Sequence, residues 1–196
     1  VDDIEYSGDG SILKLIEERK KELLEKGLFD QTYKKTLPKF PKKIGVLTSS
    51  SGSVIHDIIH RIEDRFPIAQ IFVFPVSVQG KNSHIEIIDY LDLIESTTNK
   101  FKPDLIIFAR GGGSLEEMMP FNEPKLIERV FKCTIPNISA IGHETDYTLL
   151  DLVCDLRAPT PTAAAEIAVP DQNQLFKNLN EMKSLFVNLL KNKIDL

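Results

Sequence analysis

The chain has 196 residues, 42% of them apolar and 27% charged, with a formal net charge of −5. That is enough apolar material for one substantial core plus an extension, as in an ordinary soluble protein. The longest apolar runs are strand-sized, short of the roughly 20 residues of a membrane-spanning helix, and an acidic balance does not suit a domain that grips nucleic acid across a broad basic face, because counterion release needs clustered Lys and Arg.

Residues 1–10 are acidic and glycine-containing, with Asp2, Asp3 and Glu5 where a secretory leader would be basic and then apolar. They read as a linker at the start of a fragment, and the chain as cytoplasmic. Residues 11–26 place Ile12, Leu15, Ile16 and Leu23 at helical spacing, with Gly27 as the stop, which predicts an amphipathic lead-in helix. Past Pro38 and Pro41 the pattern changes. Short β-rich runs at 44–48, 71–76, 105–109 and 137–141 alternate with helical patterns near 53–65, 83–100 and 122–132. Alternation of this kind, with strands apolar on both faces, predicts an α/β fold: a doubly wound, mainly parallel sheet with helices on both faces, plus N-terminal and C-terminal helical extensions. The expected strand order is 2-1-3-4. Cys133 and Cys154 fall in segments that read as helix, with no partner at metal-ligand spacing, so buried free thiols are expected in place of a disulfide or zinc site.

Beyond the sheet, residues 157–162 form a Pro-rich connector that opens a short helix at Pro161 or Thr162. Then Leu175, Leu179, Met182, Phe186 and Leu189 follow a heptad seam, widened by Phe176, Leu185 and Leu190. Such a stripe either packs on its own domain or begins a longer assembly helix. The divisions are 1–41 for the linker and lead-in helix, 42–170 for the α/β domain, and 171–196 for the start of a C-terminal assembly helix.

Chemistry gathers at the strand ends. The run 105–109 leads into Arg110, Gly111, Gly112, Gly113 and Ser114, and the run 138–141 into Gly142, His143, Glu144, Thr145 and Asp146. In a parallel sheet, ligands bind outside the carboxyl ends of the strands, so both clusters are expected in one cleft. Three glycines let amides approach an anion, and Ser114 to Glu117 has the pattern of a capping box that starts a helix aimed at the same place. No Gly-Lys-Ser/Thr follows, so this is not a P-loop, and the third glycine of a dinucleotide fingerprint is missing. Arg110 suits bidentate phosphate binding. His143 beside Asp146 is a candidate base with its orienting acid. Thr145 and Asp146 are also candidate caps for the next helix, as Glu117 is for its own. Ser49 and its neighbours supply a third hydroxyl-rich loop, followed by Asp57 in the first turn of a helix. His56 and His60 share a face, though without the Glu of a zinc protease motif. The serines lack the G-x-S-x-G elbow of a Ser-His-Asp hydrolase. Gln79, Gly80 and Lys81 read as a surface loop. Asp151 and Asp155 are expected one helical turn apart, and Arg157 sits just before the Pro-rich turn expected to fold back over the site.

The stretches 44–49, 76–80, 109–116, 121–122, 140–146 and 155–166 together resemble the catalytic region of the exodeoxyribonuclease VII large subunit, in the same order and across about residues 28–170. The resemblance implies a nuclease that degrades single-stranded DNA from either end to 5′-phosphate products, with several copies of a small helical subunit as partner. It implies Asp57, Arg110, His143 and Asp146 as catalytic residues; joined to the reading of the loops, Gly111, Gly112, Gly113, Ser114, Ser49 and Arg157 are expected to hold the phosphate or substrate. No cofactor is strictly required by it, and Mg²⁺ at Asp57, Glu144 and Asp146 stays open. The family's N-terminal OB-fold and most of its long coiled coil are expected elsewhere in a longer protein. Many members carry a tryptophan soon after the glycine loop, where this chain has Met118 and Met119 and no Trp at all. On the residues alone, a small-nucleotide hydrolase or transferase and a non-catalytic scaffold remain alternatives.

Overall fold

The computed structural model describes residues 7–50, 52–96, 101–142 and 147–194. Five parallel strands form one sheet: β1 (Lys43–Thr48), β2 (Gln70–Pro75), β3 (Leu105–Ala109), β4 (Asn137–Ala140) and β5 (Leu156–Arg157), in the order β2-β1-β3-β4-β5. The expected order holds, with β5 added at the edge.

Helices cover both faces, as the alternation of side chains along a strand requires. Leu105, Ile107 and Ala109 of β3 meet α2 (Ser53–Arg65) and α6 (Pro161–Ala168) through Ile58, Ile62, Ala164 and Ala165. Ile106 and Phe108 point the other way, into a core shared with α1 (Ser7–Glu25), α3 (Ser83–Ser96), α4 (Pro124–Phe131) and α5 (Leu149–Val153). Every residue of β3 is buried, which is why this run carries no polar alternation. Close packing reaches the backbone at Gly45, where an added Cβ would lie 3.1 Å from both Phe74 and Pro103.

Local chemistry sets the helix starts. Thr160 caps α6 by accepting from the Ala163 amide at 3.0 Å, with Pro161 in the first turn. Thr148 and Asp151 form a capping box on α5, so the cap expected from Thr145 or Asp146 lies instead at Thr148. Cys133 and Cys154 are buried free thiols just past the ends of α4 and α5, not inside helices. Burial pushes both thiols upward, Cys154 most strongly. Asp155 has also left the helix, where it accepts from the Asn137 and Lys35 amides, each at 2.8 Å. Asp151 and Asp155 therefore do not share a helix face.

α7 (Gln172–Ile194) leaves its apolar stripe bare. Leu175 packs against the sheet core, but Phe176, Leu179, Met182, Leu185, Phe186, Leu189 and Leu190 are exposed, so most of the seam is not packed on its own domain. Among the described residues no helix is long and apolar enough to cross a membrane.

Two neighbouring leucines of α1 test whether this helix belongs to the folded unit. Leu23 is 0% exposed and Leu24 is 60% exposed. Denaturant unfolding should show a loss of about 3 kcal/mol for Leu23→Ala and a change within about 0.5 kcal/mol for Leu24→Ala. Equal, small losses would mean that α1 is not docked.

Candidate functional site

Parallel pairing places the carboxyl ends of β1, β3 and β4 along one edge. There the chain encloses a cleft of about 120 Å³, lined by Val54 and Asp57 of α2, by Arg110, Gly111 and Gly112 after β3, by Ile141 and Gly142 after β4, and by residues 159–162 at the start of α6. Two of the three loops picked out in the sequence thus meet at one point, and the α6 connector closes the wall.

Arg110 dominates the cleft. Its side chain is 4% exposed, and its amide is tied into the sheet by donating to the Ala140 carbonyl at 3.2 Å. Nη2 donates to Glu117 Oε2 at 2.6 Å, whereas Nη1 is buried with no hydrogen-bond partner among the described residues. A buried guanidinium with one end unanswered is costly, because a charge taken out of water must be paired and hydrogen-bonded to be tolerated. An anion in the cleft would complete it.

The geometry of the glycine loop serves this arrangement. A Cβ on Gly113 would overlap Arg110 Nη2 and Glu117 Oε2, so the arginine–glutamate pair lies directly against the backbone there. Glu117 also accepts from the Ser114 amide at 3.3 Å, while Ser114 Oγ accepts from the Glu117 amide at 3.4 Å. That is the reciprocal pattern of a capping box, but no α-helix follows it. Residues 115–118 make a turn, then a single 3-10 turn, Met119–Asn122, containing Pro120. Proline removes a donor and disfavours helical backbone before it, which delays α4 to Pro124.

Behind the cleft, Asn122 is buried and joins three segments. Its Nδ2 donates to the Met118 carbonyl at 3.1 Å, its Oδ1 accepts from the Leu149 amide at 2.8 Å, and its own carbonyl accepts from Arg19 Nη1 at 3.0 Å. Asp151 is the second buried anchor, accepting from Ser139 Oγ at 2.6 Å, the Thr148 amide at 2.8 Å and Thr148 Oγ1 at 2.9 Å. Together they brace the segment after the glycine loop and the segment entering α5 against each other.

The candidate residues separate accordingly. Arg110, Gly111, Gly112 and Asp57 come together in the cleft. Asp57 is exposed and lies just past the first turn of α2, close to where it was expected. Gly113 and Ser114 shape the loop from outside. Ser49 lines a neighbouring groove with Pro75, Val76, Ser77 and Gln79. Arg157 is not among the cleft-lining residues; its guanidinium carbon lies 3.9 Å from the centroid of the Tyr147 ring and its Nε lies 4.0 Å from Asp151 Oδ1. His56 and His60 are exposed on α2, and no group of three metal-ligating side chains gathers among the described residues. His143, Glu144 and Asp146 lie outside the described residues, in the segment that connects Gly142, on the cleft wall, to Tyr147.

The family model for "Exonuclease VII, large subunit" matches residues 28–196. This chain belongs to that family. It is 47% identical over 191 residues to the exodeoxyribonuclease 7 large subunit of Rickettsia bellii, covering 97% of this chain and 43% of that protein. It is 52% identical over 173 residues to the protein of the same name from Bartonella quintana, covering 87% of this chain and 36% of that protein, and 51% identical over 173 residues to that from Mesorhizobium japonicum, covering 87% and 33%. The chain thus spans less than half the length of these exonuclease VII large subunits.

The sequence of this family member signals Asn122 only within the resemblance, marks Asp151 only for its helical spacing from Asp155, and gives no sign of the reach of Glu117 to Arg110. Gly113 offers a direct check on the glycine loop. Gly113→Ala is expected to displace the guanidinium and cost about 1–3 kcal/mol in denaturant unfolding. Gly111→Ala, whose added Cβ would meet Val54 at an ordinary 3.5 Å, should stay within about 0.5 kcal/mol. The reverse order would contradict the packing described.

Proposed function

We propose that this chain is the phosphodiester-cleaving region of an exodeoxyribonuclease VII large subunit, acting on single-stranded DNA. Family membership supports the reading, and the observation that carries it is Arg110: a buried guanidinium on a residue lining a small cleft at the carboxyl edge of the sheet, with one end committed to Glu117 and the other without a hydrogen-bond partner among the described residues. Phosphate oxygens fit that end, because planar guanidinium donors match them in charge and geometry.

In this mechanism the scissile phosphate enters the cleft, meets Arg110 Nη1 and the glycine-loop amides, and gains most as negative charge builds on its oxygens in the transition state. Preorganisation comes from Glu117, Gly113 and the strand backbone, so the arginine does not have to be ordered during the reaction. His143 takes the proton of the attacking water or returns one to the leaving oxygen, with Asp146 or Asp57 orienting it. Asp57 supplies oxygens suited to Mg²⁺ and, with Glu144 and Asp146, forms the set to be tried for metal. The small helical subunit docks on the apolar stripe of α7, and the enzyme works in the cytoplasm, digesting strands from either end to 5′-phosphate products.

Cleavage of a single-stranded oligonucleotide by the full-length enzyme, with and without chelator, tests the assignment. Arg110→Ala is expected to lower turnover about 10²–10³-fold, the scale for removing one preorganised donor from an oxyanion site. His143→Ala should abolish cleavage with the fold intact. Parent-level cutting by either variant, or turnover of a mononucleotide with indifference to oligomers, would overturn the reading.

A further inference from the structure

Tyr147 stands out among the exposed aromatic residues because it is held without being covered. It is 60% exposed, yet the Arg157 guanidinium carbon lies 3.9 Å from its ring centroid, so one face meets a cation while the rest of the ring stays open to solvent. Arg157 is largely buried, with a side chain 18% exposed and Nε 4.0 Å from the fully buried Asp151. The backbone at Tyr147 is pinned on its C-terminal side, where Thr148 is the N-cap of α5 and shares a capping box with that same Asp151. The ring therefore presents a surface whose order is established before any ligand arrives, which limits the entropy lost on binding.

Position gives the surface a use. Arg157 pairs with Ser139 in the register of β4 and β5, at the carboxyl edge of the sheet. Two residues later Pro159 enters the wall of the Arg110 cleft, and Gly142 lies on the other wall. Tyr147 and Arg157 thus lie on segments that continue into the two walls of the cleft. We infer that Tyr147, backed by Arg157, is a stacking platform for a nucleobase of single-stranded DNA, adjacent to the phosphate held by Arg110. The inference rests on the proposed function and extends it from the phosphate to the base. An aromatic face accepts every base, since each has a π-surface of its own, and a guanidinium behind the ring adds a positive charge that the chain as a whole lacks. It also explains how a chain with a net charge of −5 would favour single strands, whose bases are free to stack, over duplex, whose bases are already stacked.

The test compares binding of a short oligothymidylate with that of an abasic strand of equal length and charge, using full-length enzyme carrying no substitution, Tyr147→Ala or Tyr147→Phe. Tyr147→Ala is expected to weaken oligothymidylate binding roughly tenfold, as for loss of one stacked base, and to leave abasic binding unchanged. Tyr147→Phe should stay within about twofold of the parent, because the ring and not the hydroxyl is the platform. Equal losses on both strands would show a merely structural role and overturn the inference. An unchanged oligothymidylate affinity would overturn it too, including the case where Tyr147→Ala instead impairs assembly with a protein partner. Either result leaves Arg110-dependent cleavage standing. A parent enzyme that binds neither strand would overturn the nuclease reading and the platform together.

Discussion

The site depends on one buried charge. A guanidinium at the end of a wholly buried strand is tolerated only if its donors are answered, and here Glu117 answers one side. Several otherwise separate features follow from that requirement. Gly113 lacks a Cβ because the ion pair occupies the space. Ser114 and Glu117 hold a reciprocal capping-box geometry in which the same carboxylate also accepts from the arginine. The side left open, Nη1, is buried on a residue that lines the cleft, so the structural demand for a counter-charge falls where the proposed function needs a phosphate. A buried ion pair is weak support for a fold compared with apolar packing of the same volume, which is why the proposed function gives this charge a ligand.

The rest of the architecture aims that charge. Parallel pairing brings three strand ends to one edge, and two sheet-covering layers keep β3 and β4 rigid. The buried polar anchors, Asn122 and Asp151, tie the turn after the glycine loop to the start of α5. Each segment adjoins a loop that lines the cleft, 111–112 on one side and 141–142 on the other, and hydrogen bonds couple the two segments. Fully satisfied buried polar groups specify one arrangement in a way that apolar contacts alone do not.

Much of the fold was legible because periodicity reports burial directly. β3 reads as an unbroken apolar run since both of its faces are covered, and the helical pattern near 53–65 matches the observed bounds of α2. β5 was missed because two residues are too few to display a period. Asp155 was placed on a helix because its spacing from Asp151 is helical, whereas the chain turns out of α5 at Cys154 and uses Asp155 to hold neighbouring amides. At the site, Arg110 and the glycine loop were legible as residue types suited to anions. The contact between Glu117 and Arg110 was not, because it exists only through the space above Gly113. Arg157 was read as a substrate contact by its place before the Pro-rich turn, and the structure shows it against Tyr147 and Asp151. The bare stripe of α7 was legible as a heptad seam, and the structure leaves most of it uncovered.

The most direct measurement of the central claim uses single-stranded DNA with one non-bridging oxygen of the scissile phosphate replaced by sulfur, as separate diastereomers, cleaved by full-length enzyme and by its Arg110→Lys variant. If the planar guanidinium grips a particular phosphate oxygen, the parent discriminates between the diastereomers and the lysine variant, with its rotatable point charge, loses most of that discrimination. Discrimination of the same size in both proteins would show that Arg110 does not touch the phosphate being cut.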